Sequence, residues 1–368
     1  MLDLLSPSKN DTTGITDQAK DRDFIPVLVT VIMPIRNESG FIGRSLGAVL
    51  TQDYPHDQLE VLIADGMSTD ATRDVIAQLI KTHPTVRVRV VDNPEKIVPT
   101  GINRALALAK GDVIVRVDGH TIIAPDYVRQ CVTLLQSTGA DNVGGRMEAV
   151  SDGRFGRVVA LATNSPFAVG GARFHFSDRE EWVDTVYMGA WPREVFERIG
   201  WFDEEQVRNQ DDEFNYRLLS HGGKILLSPL IKSRYFNRST PRSLWRQYFQ
   251  YGYWKVRVLQ KVPRQMRLRQ FIPPLFIANL VFDLLMTPFS VKISWLFGLT
   301  LGSYMVANAG ISVLTARRGN WNLLLKLPLC FATIHFAWGI GFMVGLVRFW
   351  NRWRDREGRW PKQSKAPA

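Results

Sequence analysis

The 368-residue chain contains only two cysteines, Cys131 and Cys330. They form no disulfide framework and have no metal-binding spacing. No zinc-finger or RNA-recognition signature is present, and no G-x-G-x-x-G follows the first apolar strand, which disfavours nucleic-acid binding and a dinucleotide fold. The segment from Met1 to Asp23 is polar, of mixed charge and without an apolar core. A secretory signal is therefore not expected, and residues 1–25 read as a flexible tail preceding a domain that faces the cytoplasm.

The net charge of +11 is unevenly placed. Lys255, Arg257, Lys261, Arg264, Arg267 and Arg269 form a run without an acid. A second block, Arg348 to Lys365, sets seven cations against Asp355 and Glu357. Together the two blocks account for the whole excess. They flank the most apolar part of the chain, which points to an anionic membrane surface rather than nucleic acid.

From Val27 the pattern alternates strand and helix with short turns. Strands are expected at Leu28–Met33, Glu60–Ala64, Val86–Val91 and Val113–Val117. Helices are expected at Phe41–Gln52, Thr69–Lys81, Ile102–Lys110 and Pro125–Gln136. This alternation predicts an α/β domain with a parallel sheet covered on both faces. After Asn142 the rhythm loosens into glycine and aromatic residues, a composition that suits a pocket or cleft better than a second core. Glu194–Ile199 and Asp212–Ser220 are candidate helices. Ser239 to Leu259 mixes aromatics with Arg and Lys, as does a helix lying in the lipid interface. Three spans, Phe271–Phe289, Ile293–Ala316 and Leu327–Val347, have about the length needed to cross a bilayer. The first carries Pro273-Pro274, Asp283 and Pro288, the marks of a broken or re-entrant segment. An even number of crossings would put both basic blocks on one side.

Four polar turns follow the strands: Pro34-Ile35-Arg36-Asn37-Glu38, Asp65-Gly66-Met67-Ser68-Thr69-Asp70, Asn93-Pro94-Glu95-Lys96, and Asp118-Gly119-His120. Singly, each reads equally as a helix cap or a solvated turn. On consecutive parallel strands they converge on one sheet edge, where open α/β sheets bind ligands. There Asp118 and His120 could hold a divalent cation against a diphosphate. Asp211 and Asp212 open a candidate helix. They are either dipole-stabilising caps or a pair in which one carboxylate acts as a base.

These motifs together resemble the family 2 glycosyltransferases. Val29-Thr-Val-Ile-Met-Pro-Ile-Arg-Asn-Glu38 is similar to the family's opening strand and asparagine–glutamate turn, and Asp65-Gly-Met-Ser-Thr-Asp70 to its second acidic turn. Gly101-Ile-Asn-Arg-Ala105 and Gly111-Asp112 match the helix before its metal motif. Asp118-Gly-His120 stands where the family has aspartate-any-aspartate, with an imidazole that suits Mn(II). Gly200-Trp-Phe-Asp203 with Asn209-Gln-Asp-Asp-Glu-Phe-Asn-Tyr-Arg217 resembles the acceptor-side helix. Gln250-Tyr-Gly-Tyr-Trp254 is similar to a glutamine-x-x-arginine-tryptophan element. Within the family, Val183-Asp-Thr-Val186 and the runs around Asn209 and Gln247 look most like the succinoglycan-type glucosyltransferases of exopolysaccharide assembly.

The resemblance implies a GT-A-type catalytic domain over 26–235, then an interfacial region at 236–270, membrane helices at 271–350 and a basic cytoplasmic tail at 351–368. It implies a multi-pass enzyme of the cell inner membrane. The donor would be a nucleoside-diphosphate sugar, UDP-glucose favoured, and the acceptor a polyprenyl-linked sugar. The cofactor would be Mn or Mg held by Asp118 and His120. Nucleotide contacts would come from Pro34, Arg36, Asn37, Glu38, Asp65, Ser68, Asp70, Lys96, Asn103, Asp118 and Gly119. Asp211 would be the base with Asp212 beside it, and Gln250 and Trp254 would border the acceptor. A nucleotidyltransferase would need an early glycine-rich, lysine-bearing loop, which Pro34 to Gly40 does not offer. An inactive membrane scaffold would keep the helices and lose nucleotide binding.

Overall fold

The computed structural model describes residues 24–151, 153–237, 240–359 and 361. Residues 1–23, most of the predicted N-terminal tail, and Ser239, the predicted start of the interfacial helix, lie outside them.

The first half alternates as expected. In chain order come β1 (Val29–Ile35), α1 (Ile42–Leu50), β2 (Leu59–Asp65), α2 (Thr72–Thr82), β3 (Arg87–Asp92), α3 (Val98–Leu106), β4 (Val113–Arg116), β5 (Thr121–Ile123) and α4 (Tyr127–Thr138). Strands β3, β2, β1 and β4 lie side by side and parallel. β1 is apolar along its length because both faces are covered. Val29, Val31 and Met33 join Ile42, Leu46 and Val128 in one core, while Ile32 faces a second core with Ile102 and Ile114.

The stretch after Asn142 departs from expectation. It contributes β6 (Asn142–Val150), α5 (Arg154–Thr163), α6 (Pro166–Val169), β7 (Glu181–Trp182), β8 (Tyr187–Pro192), α7 (Arg193–Ile199), α8 (Gln210–Ser220) and β9 (Ile225–Phe236). These strands continue the same sheet in the order β3-β2-β1-β4-β8-β6-β9-β5, with antiparallel pairs at β4–β8, β8–β6 and β9–β5. Several of its aromatics form core. Trp191, Phe196 and Phe202 surround Phe214 of α8, and the Phe202 and Phe214 rings stack 4.4 Å apart. Aromatic burial anchors α8 to the sheet without a regular period that sequence reading could detect.

The C-terminal part comprises α9 (Pro241–Lys261), α10 (Ile272–Met286), α11 (Val291–Arg318) and α12 (Leu327–Arg348). Among the described residues three runs are long and apolar enough to cross a membrane: Leu268–Phe289, Val291–Arg318 and Trp321–Arg348. Pro273-Pro274 do not break the first. They occupy the opening turn of α10, where a missing N–H has no helical partner to lose. Helix α12 lies along α9 in backbone contact. A Cβ on Gly252 would stand 2.0 Å from the Trp338 carbonyl oxygen, and one on Gly341 2.1 Å from that of Phe249. Small residues at such a seam let two helices approach closely.

The first basic block is only partly a free surface. Lys255, Arg257 and Lys261 are buried and paired with Asp212, Glu205 and Asp203. The fold carries these acids across from α8 and the loop leading into it, over a sequence distance that composition does not reveal. Residues of the basic tail dock onto the same loop: Arg352 pairs with Glu205, and the Arg359 N–H donates to Asp203 Oδ1 at 3.0 Å.

Candidate active site

The turns after β1 and β2 form one interlocked unit. The Asn37 N–H donates to Ser68 Oγ at 2.9 Å, and the Thr69 N–H returns a bond to Asn37 Oδ1 at 2.8 Å. The Ser39 N–H donates to Asp70 Oδ2 at 3.2 Å, and the Glu38 N–H to Thr72 Oγ1 at 2.8 Å. The Thr72 hydroxyl on its carboxylate holds Asp70 down at about 2. Asp65 is fully buried and held by Ser68 and by Arg73, which also reaches Asp92. Pro34 stays within β1 opposite Ala64, while Arg36 lies exposed beside Gly66. Asn37, Met67, Lys96 and Asn209 all have positive φ. Each lies on a turn after β1, β2 or β3 or just before α8. Such backbone costs roughly 1–3 kcal/mol per residue and tends to cluster where function demands it.

Arg116 and Asp118 continue β4 on the face that Ile114 buries, the face covered by α8. Arg116 Nε donates to Asp118 Oδ1 at 2.8 Å and Nη2 to Oδ2 at 3.3 Å, while the Tyr187 hydroxyl donates to Oδ2 at 3.2 Å. Burial alone would raise the Asp118 carboxyl, but the Arg116 guanidinium and His120 outweigh it and hold it below the ordinary range. His120 Nδ1 lies 3.0 Å from Glu38 Oε1. Both residues line an open groove of about 260 Å³ with Phe41, Phe236 and Asn237. Gly119 closes the turn against Ile35 and Glu38, where a Cβ would have no room.

Asp211 and Asp212 open α8. Asp212 is neutralised: Lys255 Nζ stands 2.7 Å from Oδ2, and the Thr185 hydroxyl donates to Oδ1 at 3.3 Å. That hydroxyl is fixed in turn by Asn215 and, behind it, Asn142. Among the described residues no cation is bonded to Asp211. Burial first, then the charge of Asp212, raises its carboxyl above the ordinary value, against the pull of Arg116. Asp118 also acts on it, so Asp118, Arg116 and Asp211 share one electrostatic environment.

Three expected site residues are placed elsewhere. Both amide atoms of Asn103 bond the backbone of Phe202, and its nitrogen also reaches Glu204. Asn103 thereby fixes the loop before α8. Trp254 packs on Tyr253 and Phe349 in the α9–α12 seam, and Gln250 lies one turn before it on α9.

Among the described residues no cluster of three His, Cys, Asp or Glu side chains could hold a metal unaided. Asp118, whose two oxygens already accept from Arg116 and Tyr187, and His120, which lines the groove, are the residues that would hold a divalent ion brought in on a diphosphate, whose oxygens would complete the shell.

The sequence profile of "Glycosyl transferase family 2" matches residues 30–200. The succinoglycan biosynthesis protein ExoA of Rhizobium meliloti is 30% identical over 88% of this chain and 96% of its own length. The chain belongs to glycosyl transferase family 2. This glycosyltransferase is also 26% identical, over 87% of its length and 97% of the relative's, to the dolichyl N-acetyl-alpha-D-glucosaminyl phosphate 3-beta-D-2,3-diacetamido-2,3-dideoxy-beta-D-glucuronosyltransferase of Methanococcus voltae. Among solved structures, a mannosyltransferase from Pyrobaculum calidifontis, in complex with GDP-Man and Mn2+, superposes with a TM-score of 0.56. It is 22% identical, over 88% of each chain. That likeness carries the GT-A fold.

The glycosyltransferase's sequence offered a signal for one further site residue. Arg116 is a charge inside a buried β-branched strand, which needs a partner carboxylate. Tyr187 and Lys255 gave no comparable sign, because what they bond lies 69 and 43 residues away.

Proposed function

We propose that this glycosyltransferase moves glucose from UDP-glucose to a hydroxyl of a polyprenyl-linked acceptor, with inversion, in exopolysaccharide or related glycan synthesis at the cytoplasmic face of the cell inner membrane. The observation that carries the mechanism is the grouping of Asp118, Arg116 and Asp211 at one edge of the sheet, with Asp211 as the carboxylate that lacks a bonded cation. The relationship to a succinoglycan biosynthesis protein supports the pathway class, and the GDP-Man and Mn2+ of the Pyrobaculum enzyme support a sugar nucleotide and a divalent ion.

In this reading the turns after β1, β2 and β3 receive the nucleoside, and Asp118 and His120 would hold the ion at the diphosphate. Bound there, a divalent ion supplies Lewis-acid stabilisation of the leaving group. Asp211 takes the proton of the acceptor hydroxyl. The hydroxyl oxygen bonds the anomeric carbon from the face opposite the diphosphate, and the carbon–phosphate-oxygen bond breaks. Asp212 is taken up by its ion pair with Lys255, so the proton-accepting role falls to Asp211. One displacement inverts the anomeric centre and needs no covalent intermediate.

The membrane arrangement follows from which apolar helices are packed. Buried residues make up 22% of the apolar window in Leu268–Phe289 and 11% in Val291–Arg318, against 50% in Trp321–Arg348. Helix α12 is held at its middle to α6 of the catalytic domain and, just past its C-terminus, to α9. His335 Nε2 lies 2.7 Å from the Phe167 carbonyl oxygen, and Gln260 donates to that of Phe349 at 2.8 Å. A helix packed along α9 and bonded at its middle to the catalytic domain lies beside the bilayer core rather than across it. Helices α10 and α11 then form the inserted hairpin, which puts both basic blocks on one side.

The test is incubation of the purified protein with labelled UDP-glucose, other sugar nucleotides and extracted lipid acceptors. Label is expected in the lipid fraction from UDP-glucose, dependent on Mn(II) or Mg(II), with the opposite anomeric configuration in the product. No transfer from any donor overturns the reading; transfer from a different donor overturns the assignment of glucose.

A further inference from the structure

Glu38 has an expected role in nucleoside recognition, yet its carboxylate faces the imidazole of His120. We infer that Glu38 is a positioning residue for His120: it accepts the Nδ1–H and so presents the Nε2 lone pair to the divalent ion of the donor complex. This rests on the proposed function.

Neutral imidazole carries one N–H and one lone pair, and the hydrogen bond made by one nitrogen decides which role the other takes. Glu38 Oε1 lies 3.0 Å from Nδ1. An ionised carboxylate is acceptor-only, so the proton stands on Nδ1 and the lone pair on Nε2. Outer partners of this kind fix both the tautomer and the ring direction of a metal-binding histidine, and their loss typically weakens metal binding 10–100-fold. Four hydrogen bonds hold the pair in register. The Ser45 hydroxyl donates to the Gly119 carbonyl at 2.7 Å. The Phe236 N–H donates to the His120 carbonyl at 3.2 Å. The Phe41 and Ile42 N–H groups both donate to the Glu38 carbonyl at 2.8 Å. Gly119 lets the two side chains meet, because a Cβ there would stand 3.1 Å from Glu38 Cγ. The backbone contacts do not involve the Glu38 carboxylate, so its substitution leaves the turn in place. The groove along the pair gives an ion a route in from solvent.

The inference separates three roles for one carboxylate. A positioning Glu38 is replaceable by glutamine, whose amide oxygen still accepts the Nδ1–H. A direct metal ligand is not, since it loses its charge at the ion. A nucleoside contact acts without any metal. The experiment titrates Mn(II), followed by its EPR signal, into wild type, Glu38→Gln, Glu38→Ala and His120→Ala, with UDP and GDP tried in parallel as the probe nucleotide. Metal-free nucleotide affinity is measured alongside, and 15N correlation spectra report the His120 tautomer.

Expected are a 10–100-fold weaker Mn(II) affinity in Glu38→Ala, recovery to within a few-fold in Glu38→Gln, unchanged metal-free nucleotide binding, and an Nδ1–H tautomer in the wild type. The inference is overturned by an Nε2–H tautomer, by Glu38→Ala binding Mn(II) as the wild type does, or by Glu38→Gln failing as badly as Glu38→Ala. A loss confined to metal-free nucleotide binding overturns it in favour of nucleoside recognition. A wild type without nucleotide-dependent Mn(II) binding overturns it together with the metal-assisted reading. The preceding outcomes overturn it while leaving that reading intact.

Discussion

Replacing Asp211 by asparagine separates catalysis from stability, because the two respond in opposite directions. Asparagine has nearly the shape of aspartate and keeps an oxygen for the Asp212 N–H, which donates to Asp211 Oδ1 at 3.0 Å. It cannot accept the acceptor's proton. Removing a general base typically lowers rate 10²–10⁴-fold, about 3–5 kcal/mol in the barrier. The loss should fall on turnover, with donor affinity nearly unchanged. Stability moves the other way. The folded-state Asp211 carboxyl is raised above its unfolded value, by burial and then by Asp212, so its ionised form is disfavoured in the fold. The associated loss of stability in the wild type is absent below the ordinary carboxylate value and grows as pH rises through the elevated one. Asp211→Asn is therefore expected to melt higher than wild type at neutral pH, with the gap closing toward pH 4. Thermal unfolding at the two pH values, beside transfer assays, checks both limbs. Transfer above a tenth of wild type removes Asp211 as the base, and a lower melting point at neutral pH removes the electrostatic account of its environment.

Other perturbations probe what holds the site. Lys255→Met strips Asp212 of its cation, so the carboxylate pair retains a proton to higher pH; the acid limb of the pH–rate profile should move up, and Lys255→Arg should restore it. Glu205→Ala takes from Arg257, which is fully buried, the nearer of its two carboxylates and leaves only Asp355 at 3.5 Å, and should destabilise by about 3–5 kcal/mol in denaturant unfolding. In the wild type, burial opposes the ionisation of Glu205 but Arg257 and Lys261 dominate and pull it to about 2. Its stabilising effect is complete above the ordinary glutamate range and is lost as pH falls toward 2. Gly341→Leu forces α12 off the Phe249 carbonyl. It should lower stability by about 1–3 kcal/mol and reduce activity by moving α9 and its Lys255, read by melting temperature and transfer rate.

The local codes of this chain were legible before any coordinates. Apolar alternation around Val31, Ile63 and Val115, glycine at Gly111 and acidic turns at Asp65 and Asp118 each act over a few residues, and β1 to α4 formed close to where they were expected, except that α3 begins and ends four residues earlier and β5 was not expected. The length and composition of the three apolar runs likewise depend only on neighbours in sequence. Tertiary structure alone decided that Lys255, Arg257 and Lys261 are buried partners of acids rather than a surface charge, that Asn103 fixes the Phe202 loop, and that Trp254 belongs to a helix seam. It alone placed Lys255 on Asp212 and Glu38 on His120. Such pairings span 43 and 82 residues; they arise only when the sheet and α9 bring distant segments together, and no period or propensity along the chain encodes which cation meets which carboxylate.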